Sequence, residues 1–427
     1  MKRKFYKSNS ISNILFEDGI ELLPSVTELF ELELAYLEYK AMNRNEFIER
    51  SAFFKSFEGK PTKHFLLYSD KSETLLENSS IATQNYFENG QFATGYATHS
   101  LFPYRGKFHP QLIKGLINIL GIKKGETILD PMCGSGTLNI ESSLMGINSY
   151  AIDVSPFCQF MTTAKFEALR INKETLLKHT SNHNELFELF SNREVIYQMK
   201  KMFNTEELRV YQLALLAFLD AMGYAKRVEK SNHKQLFPKV LKRYQETVIN
   251  IITNPYFNPK TLGNVQILKK SEALNIELKK NSIDAVITSP PYSFAIDYAE
   301  NDKDQLEYLG FETKILRGKM IGLKGNGKEE KLINYFTDME IFCSEVSRVL
   351  KKGKYFVMII GSNTNQTGGI RLNDKIIESG SKFKLKLVKT IIKPIKGMRN
   401  TIKDTLNYLL VHLQKKYKIW EIHIQTV

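Results

Sequence analysis

The chain is poor in cysteine and holds a single tryptophan. Cys133, Cys158 and Cys343 are far apart and form no C-x-x-C pair, which excludes a disulfide framework and leaves a zinc knuckle without support. No run approaches the ~18 apolar residues of a membrane span. The basic start MKRKFYKSNSISN leads into Glu17, Asp18 and Glu21 rather than into the apolar core of a signal peptide. No internal repeat is visible. These absences predict a soluble, cytoplasmic protein in a reducing compartment, with neither metal nor membrane.

What is present is an ordinary globular composition: 427 residues, 42% hydrophobic and 25% charged. That length predicts two or three units, each able to bury a core unaided. The net charge is +14, and its distribution is uneven. Residues 1–100 sum to −3, 101–311 to +4 and 312–427 to +13. Such a balance points to an anionic partner, against the alternative of an ordinary lysine-rich surface.

Four segments are expected. Residues 1–95 read as a mostly helical N-terminal accessory unit, because Leu22, Leu23, Leu29, Phe30, Leu32, Leu34 and Tyr36 fit a helical period. Residues 96–156 read as a β-α-β unit: a helix over Leu112–Leu120, a strand at Thr127–Leu129, a glycine-led helix from Gly134 to Met145 and a strand at Ser149–Ile152. Residues 157–262 read as a helical insertion. Residues 263–427 resume the alternation, with strands at Asn264–Ile267, Ile283–Thr288 and Tyr355–Ile360, a helix near Phe336–Leu350, and a turn at Lys351–Lys354. Lys384–Ile392 and Leu406–Leu413 are expected to pair as an antiparallel edge ribbon. The class is therefore α/β, with a mostly parallel sheet and helices on both faces.

Three motifs carry chemistry. In Ile128-Leu129-Asp130-Pro131-Met132-Cys133-Gly134-Ser135-Gly136-Thr137 a buried strand ends at Asp130, and two glycines let the backbone turn close to a ligand at the carboxyl end of the sheet. A dinucleotide loop would need a third glycine where Asn139 stands. Asp153 closes the next strand about 20 residues on, where a ribose is gripped in nucleoside-binding α/β folds; capping of the following helix is the competing role. In Thr288-Ser289-Pro290-Pro291-Tyr292 the two prolines end a ladder and fix an extended loop with carbonyls facing outward. Ser289 and that loop can accept hydrogen bonds from an exocyclic amine, while Tyr292 offers a ring for a flat base.

Together DPMCGSGT and TSPPY resemble the amino-methyltransferases of DNA, and the Ser-Pro-Pro-Tyr form resembles cytosine-N4 more than adenine-N6 members. The resemblance implies a Rossmann-like fold that uses S-adenosylmethionine. It places Gly134, Gly136 and Thr137, with Asp130, Pro131 and Cys133, at the methionine end of that cofactor, and Asp153 at its ribose. Lys107, Phe108 and Pro110 stand in a segment similar to one that closes over the methionine, and Ser271 and Glu272 stand where the adenine ring is contacted. Catalysis falls to Ser289, Pro290, Pro291 and Tyr292, by direct transfer to the amine of a flipped base and without a covalent enzyme intermediate. Cys133 is thus no nucleophile. Phe294 and Tyr298 are candidate walls of the base pocket.

The implied partner is double-stranded DNA, in a modification role beside a restriction endonuclease. Adenine-N6 methylation, an RNA amino-methyltransferase and a non-catalytic DNA-binding subunit are the alternatives. Target reading is expected from the helical insertion, with Lys226, Arg227, Lys230, Lys234, Lys239, Lys242 and Arg243, or from the N-terminal unit, or from a Gly/Lys-rich loop over Arg317–Lys331. Lys324, Lys328, Lys331 and Arg399 are the phosphate-contact candidates.

Overall fold

The computed structural model describes residues 14–23, 25–26, 28–68, 95–104, 106–227, 232–291, 297–362, 370–394 and 419–426. Two compact units share the chain. The first comprises residues 1–128, 133–269 and 302–311, and the second comprises 129–132, 270–301 and 312–427.

The first unit begins with helices accompanied by a small sheet. Helices α1 (Leu29–Ala41), α2 (Arg44–Arg50) and α3 (Lys63–Tyr68) are accompanied by an antiparallel sheet of β1 (Ile20–Leu22), β2 (Phe54–Phe57) and β3 (Lys60–Pro61). Phe54 is fully buried, its ring 4.4 Å from that of Phe47 and 5.3 Å from that of Phe16. These contacts between aromatic residues distant in sequence build a core that a helical period does not reveal. Helix α4 (Pro110–Ile119) follows, with proline at its first turn, where a missing N–H costs nothing. Glu38 of α1 is buried and accepts from Ala52 N, Phe53 N and Asn118 Nδ2 at 2.8, 3.2 and 2.6 Å. The early residues are thereby fastened to α4. Burial pushes the Glu38 carboxyl up to about 7.

Strand β4 (Thr127–Asp130), helix α5 (Thr137–Leu144) and strand β5 (Asn148–Ala151) form the expected β-α-β unit. A helical run follows, from α6 (Pro156–Ala168) through α7 (Lys173–His179), α8 (His183–Ser191), α9 (Glu194–Met202) and α10 (Thr205–Arg227) to α11 (His233–Ile252). The long helices α10 and α11 carry apolar faces that include Leu213, Leu216, Phe237, Leu241 and Val248, all buried. They also support the approach to the turn after β4: Tyr244 of α11 accepts from Phe102 N at 2.8 Å and donates to Asp220 of α10 at 3.0 Å. Strand β6 (Val265–Ile267) pairs in parallel with β5.

In the second unit β7 (Ile283–Thr288) is buried along its whole length, as an inner parallel strand is, with its one charged residue, Asp284, paired to Lys351 at 2.7 Å. It pairs in parallel with β8 (Leu350–Ser362), and between the two in the chain come α12 (Tyr298–Asn301), α13 (Lys303–Tyr308) of the first unit, α14 (Thr313–Lys319) and α15 (Gly327–Val349). Residues 351–354, expected as a turn, belong to this strand. Gly353, at φ +74°, sits where the register with β7 shifts between Ile283 and Ala285, so the strand is irregular at the glycine. Helix α16 (Leu372–Lys382) and strand β9 (Lys386–Pro394) follow. Lys384, between these two elements, has a left-handed φ of +66°.

An antiparallel ribbon lies at the edge of the sheet. Leu406–Leu413 lies outside the described residues, and the last described strand is β10 (Ile419–Thr426). It runs antiparallel between β8 and β9, with Ile422 opposite Ile359 on one side and Ile391 on the other. The sheet order is β6-β5-β4-β7-β8-β10-β9. A parallel sheet with one reversed strand inserted beside its edge, flanked by helices, is the Rossmann-like methyltransferase fold. No described helix is long and apolar enough to cross a membrane.

Candidate active site

In the first unit the turn after β4 is shaped by two left-handed glycines, Gly134 at φ +49° and Gly136 at φ +74°. A Cβ on Gly134 would lie 3.2 Å from a Tyr104 ring carbon, and one on Gly136 would lie 2.6 Å from Thr162 Cγ2. The backbone therefore runs against both side chains, and only glycine fits. Gly136 N donates to Cys133 O at 2.8 Å, and Gly136 O accepts from Ile140 N, opening α5 at Thr137.

Asp153, just beyond β5, holds the turn. Its Oδ2 accepts from Gly134 N and its Oδ1 from Ser155 N, both at 2.8 Å. The following helix is capped instead by Ser155, whose hydroxyl accepts from Cys158 N. Burial pushes the Asp153 carboxyl up to about 6 against the lowering effect of these bonds. Each carboxylate oxygen retains a lone pair beyond the one used. A ribose hydroxyl pair fits that donor demand, so the turn and Asp153 suit a nucleoside-bearing cofactor.

The segment ahead of α4 is anchored in the same unit. Lys107 Nζ donates to His99 O at 2.8 Å, and burial lowers its pKa. Phe108 and Pro110 are buried. His99 itself meets Glu141 of α5 at 2.7 Å, both side chains being 1% exposed. Cys133 is buried with its sulfur 3.7 Å from Thr162 Oγ1.

In the second unit Asp130 does more than end a strand. Its Oδ1 accepts from Thr288 Oγ1 at 2.8 Å and from Met132 N at 3.2 Å, joining the carboxyl ends of β4 and β7. Sequence reasoning assigned Asp130 to the cofactor turn and passed over Thr288. The visible signal was a polar residue closing each of two buried strands. Directly after Thr288, Ser289 Oγ donates to Ile359 O of β8 at 3.0 Å. That bond commits the only hydroxyl proton of Ser289, so toward any further group it acts as an acceptor. Pro290 is buried and Pro291 half-buried. Tyr292 and Phe294 lie outside the described residues, as do Lys230 and Arg399.

Ser271 and Glu272 are engaged locally. Ser271 Oγ accepts from Glu277 N at 2.9 Å, and Glu272 pairs with Lys319 at 2.7 Å while its backbone bridges Asn275. The expected loop over Arg317–Lys331 is helical at both ends, with residues 320–326 between the helices non-helical. Arg317 and Lys319 end helix α14 (Thr313–Lys319), and Lys328 and Lys331 fall in the first two turns of α15. Arg317 pairs with Asp297 at 2.8 Å and Lys324 with Asp338 at 2.9 Å, whereas Lys328 and Lys331 make no ion pair among the described residues. Several insertion cations are paired as well: Lys226 with Asp304, Lys234 with Glu188, and Arg243 with Asp220.

Fold and turn thus define a Rossmann-like domain, and comparison with known proteins adds a chemistry. Residues 100–213 match the UPF0020 family model, described as RMKL-like, methyltransferase domain. The chain is 27% identical over 282 residues to the Type II methyltransferase M.BsoBI of Geobacillus stearothermophilus, covering 51% of this chain and 54% of that protein. It is 22% identical over 431 residues to the Type II methyltransferase M.MvaI of Kocuria varians, covering 79% and 93%. It therefore spans about half the length of the Geobacillus relative and most of the Kocuria one. Among solved structures, geranyl diphosphate methyltransferase in complex with SAM is matched at 8% identity and a TM-score of 0.32, over 78% of this chain and 96% of that one.

Proposed function

We propose that this protein is an S-adenosylmethionine-dependent DNA methyltransferase that modifies the exocyclic N4 of cytosine, as the modification partner of a restriction endonuclease. The observation that carries the reading is Ser289, fixed as an acceptor by its bond to Ile359 and placed straight before two prolines at the carboxyl end of β7. The similarity to Type II methyltransferases supports DNA as the substrate.

When bound, S-adenosylmethionine supplies an electrophilic methyl group on its sulfonium. The chain's own residues do the rest. The Gly134–Gly136 turn admits the cofactor's backbone approach, and Asp153 accepts from its ribose. Ser289 and a carbonyl of the Pro290-Pro291 loop accept from the two N–H groups of the target amine. An aromatic amine is a weak nucleophile because its lone pair is spread into the ring, and those two bonds favour pyramidal nitrogen while fixing its position. Flipping the base costs a few kcal/mol, which stacking on Tyr292 offsets in part. Asp130 and Thr288 keep the loop's base rigid.

Incubating duplex DNA with the protein and methyl-labelled S-adenosylmethionine, then digesting to nucleosides, tests this directly. Label in N4-methylcytosine is expected. Label in N6-methyladenine alone would overturn the cytosine assignment while keeping the chemistry. Ser289→Ala is expected to lower kcat at least tenfold with little change in cofactor affinity; near-normal turnover would contradict the role given to this hydroxyl.

A further inference from the structure

Phe102 stands in the segment that leads into α4, and its backbone is left-handed, at φ +59°. A bulky residue rarely adopts that conformation, which persists only where the surroundings enforce it. Ala97, earlier in the same segment, is left-handed as well, at φ +49°. Two contacts hold Phe102. Its N–H donates to Tyr244 Oη of α11 at 2.8 Å, and its ring lies 4.9 Å from that of Phe157, in the first turn of α6. Phe102 O then accepts from Tyr104 N at 2.9 Å, closing a tight turn that sets Tyr104 in place. Tyr104 lies against the glycine turn. A carbon of its ring is 3.2 Å from where a Cβ on Gly134 would stand, and its Oη accepts from Cys158 Sγ of α6 at 3.4 Å. A continuous line of contacts therefore runs, within the first unit, from α11 to the turn that Asp153 anchors.

Tyr244 is fully buried, and a phenylalanine ring would fill the same space. A buried hydroxyl is costly unless it is bonded, so this one is explained by its partners. It donates its only proton to Asp220 Oδ2 at 3.0 Å, and Arg243 Nη2 donates to the same oxygen at 2.7 Å. With the proton committed, the lone pairs of Oη are turned to the Phe102 N–H. Burial and the Asp220 charge push the Tyr244 pKa well above its ordinary value, so the hydroxyl keeps that proton.

We propose that Tyr244, oriented by Asp220, is a positioning residue for the methyl donor: from the helical insertion it holds Phe102 left-handed and so keeps Tyr104 against the glycine turn. The inference rests on the S-adenosylmethionine reading above and gives α10 and α11 a part in the cofactor site. Acting through Phe102 rather than on a reacting group, Tyr244 governs donor binding and leaves the transfer step alone.

Amide hydrogen exchange, calorimetric titration with S-adenosylmethionine and turnover on duplex DNA test it in the full chain, as wild type, Tyr244→Phe and Asp220→Asn. In Tyr244→Phe the Phe102 and Tyr104 amides are expected to exchange about tenfold faster, while the core amides of α10 and α11 keep wild-type protection. The same variant is expected to raise Kd and KM for the donor about tenfold and to leave kcat within about twofold. Asp220→Asn, whose amide oxygen can still accept from Tyr244, is expected to keep donor affinity within about threefold. Normal donor affinity in Tyr244→Phe, a fall in kcat with KM unchanged, protection lost throughout both helices, or a variant that no longer folds would overturn the proposal and make the hydroxyl structural. A loss in Asp220→Asn as large as in Tyr244→Phe would overturn the part given to Asp220. A wild type that binds no S-adenosylmethionine would instead overturn the methyl-donor reading, and exchange at Phe102 would then still decide whether Tyr244 holds the segment.

Discussion

Gly136 shows how a single residue can be fixed by its surroundings. Its φ of +74° is unfavourable for any side chain, and an added Cβ would sit 2.6 Å from Thr162 Cγ2 and 2.7 Å from Thr162 Oγ1. Thr162 belongs to α6, which begins just beyond Asp153, so the clash would push the turn away from the residue that anchors it. Gly136→Ala is expected to cost about 2 kcal/mol or more in stability and to weaken S-adenosylmethionine binding at least tenfold. Thermal denaturation and calorimetry measure the two. Normal binding with normal stability would show that the turn has slack the distances deny. The glycines and Asp153 could be picked out from sequence because their spacing encodes a strand, a turn and a second strand. The bond between Asp130 and Thr288 could not, since it joins residues 158 apart in the chain.

Helix α4 carries the Lys107–Pro110 segment at its start and is held from behind by the early part of the chain. Gly115 lies at that contact. A Cβ there would meet Phe53 Cε2 at 2.4 Å, and Phe53 is itself 3% exposed. Alanine would gain about 1 kcal/mol of helix propensity, but the overlap costs about 1–3 kcal/mol and has no exit through a flexible chain end. Gly115→Ala is therefore expected to be destabilising, and Phe53→Leu in the same chain to recover part of the loss. Additive effects in that double-mutant cycle, read by denaturant unfolding, would contradict the contact. Strands β4, β5 and β7 were legible because short apolar runs bounded by turn residues leave little choice of period. Strand β10 was not among the expected strands. IWEIHIQT gains its place only from two long-range ladders, to β8 and to β9. The irregular stretch of β8 was read as a turn for the same reason: Gly353 marks both, and only the partner strand decides between them.

Across the whole molecule the excess charge is concentrated after residue 311, and the structure sorts part of that excess into used and unused cations. Lys324 is spent on Asp338, Arg317 on Asp297 and Lys319 on Glu272. Lys328 and Lys331 are not paired among the described residues, and Lys328 is exposed at the start of α15. If the partner is duplex DNA, each phosphate contact releases counterions and adds about 0.9 to the slope of log affinity against log salt. Lys328→Gln together with Lys331→Gln is expected to lower that slope by about 1–2 and to weaken binding to all sequences alike, since phosphate contacts position without reading bases. Lys324→Gln is expected to leave the slope nearly unchanged and to act through the lost ion pair with a buried aspartate, as a drop in thermal midpoint. Binding titrations between about 50 and 200 mM salt separate the two. A slope insensitive to the double substitution would remove α15 from the DNA interface, and a slope reduced by Lys324→Gln would mean that its pairing with Asp338 yields to a phosphate when DNA arrives.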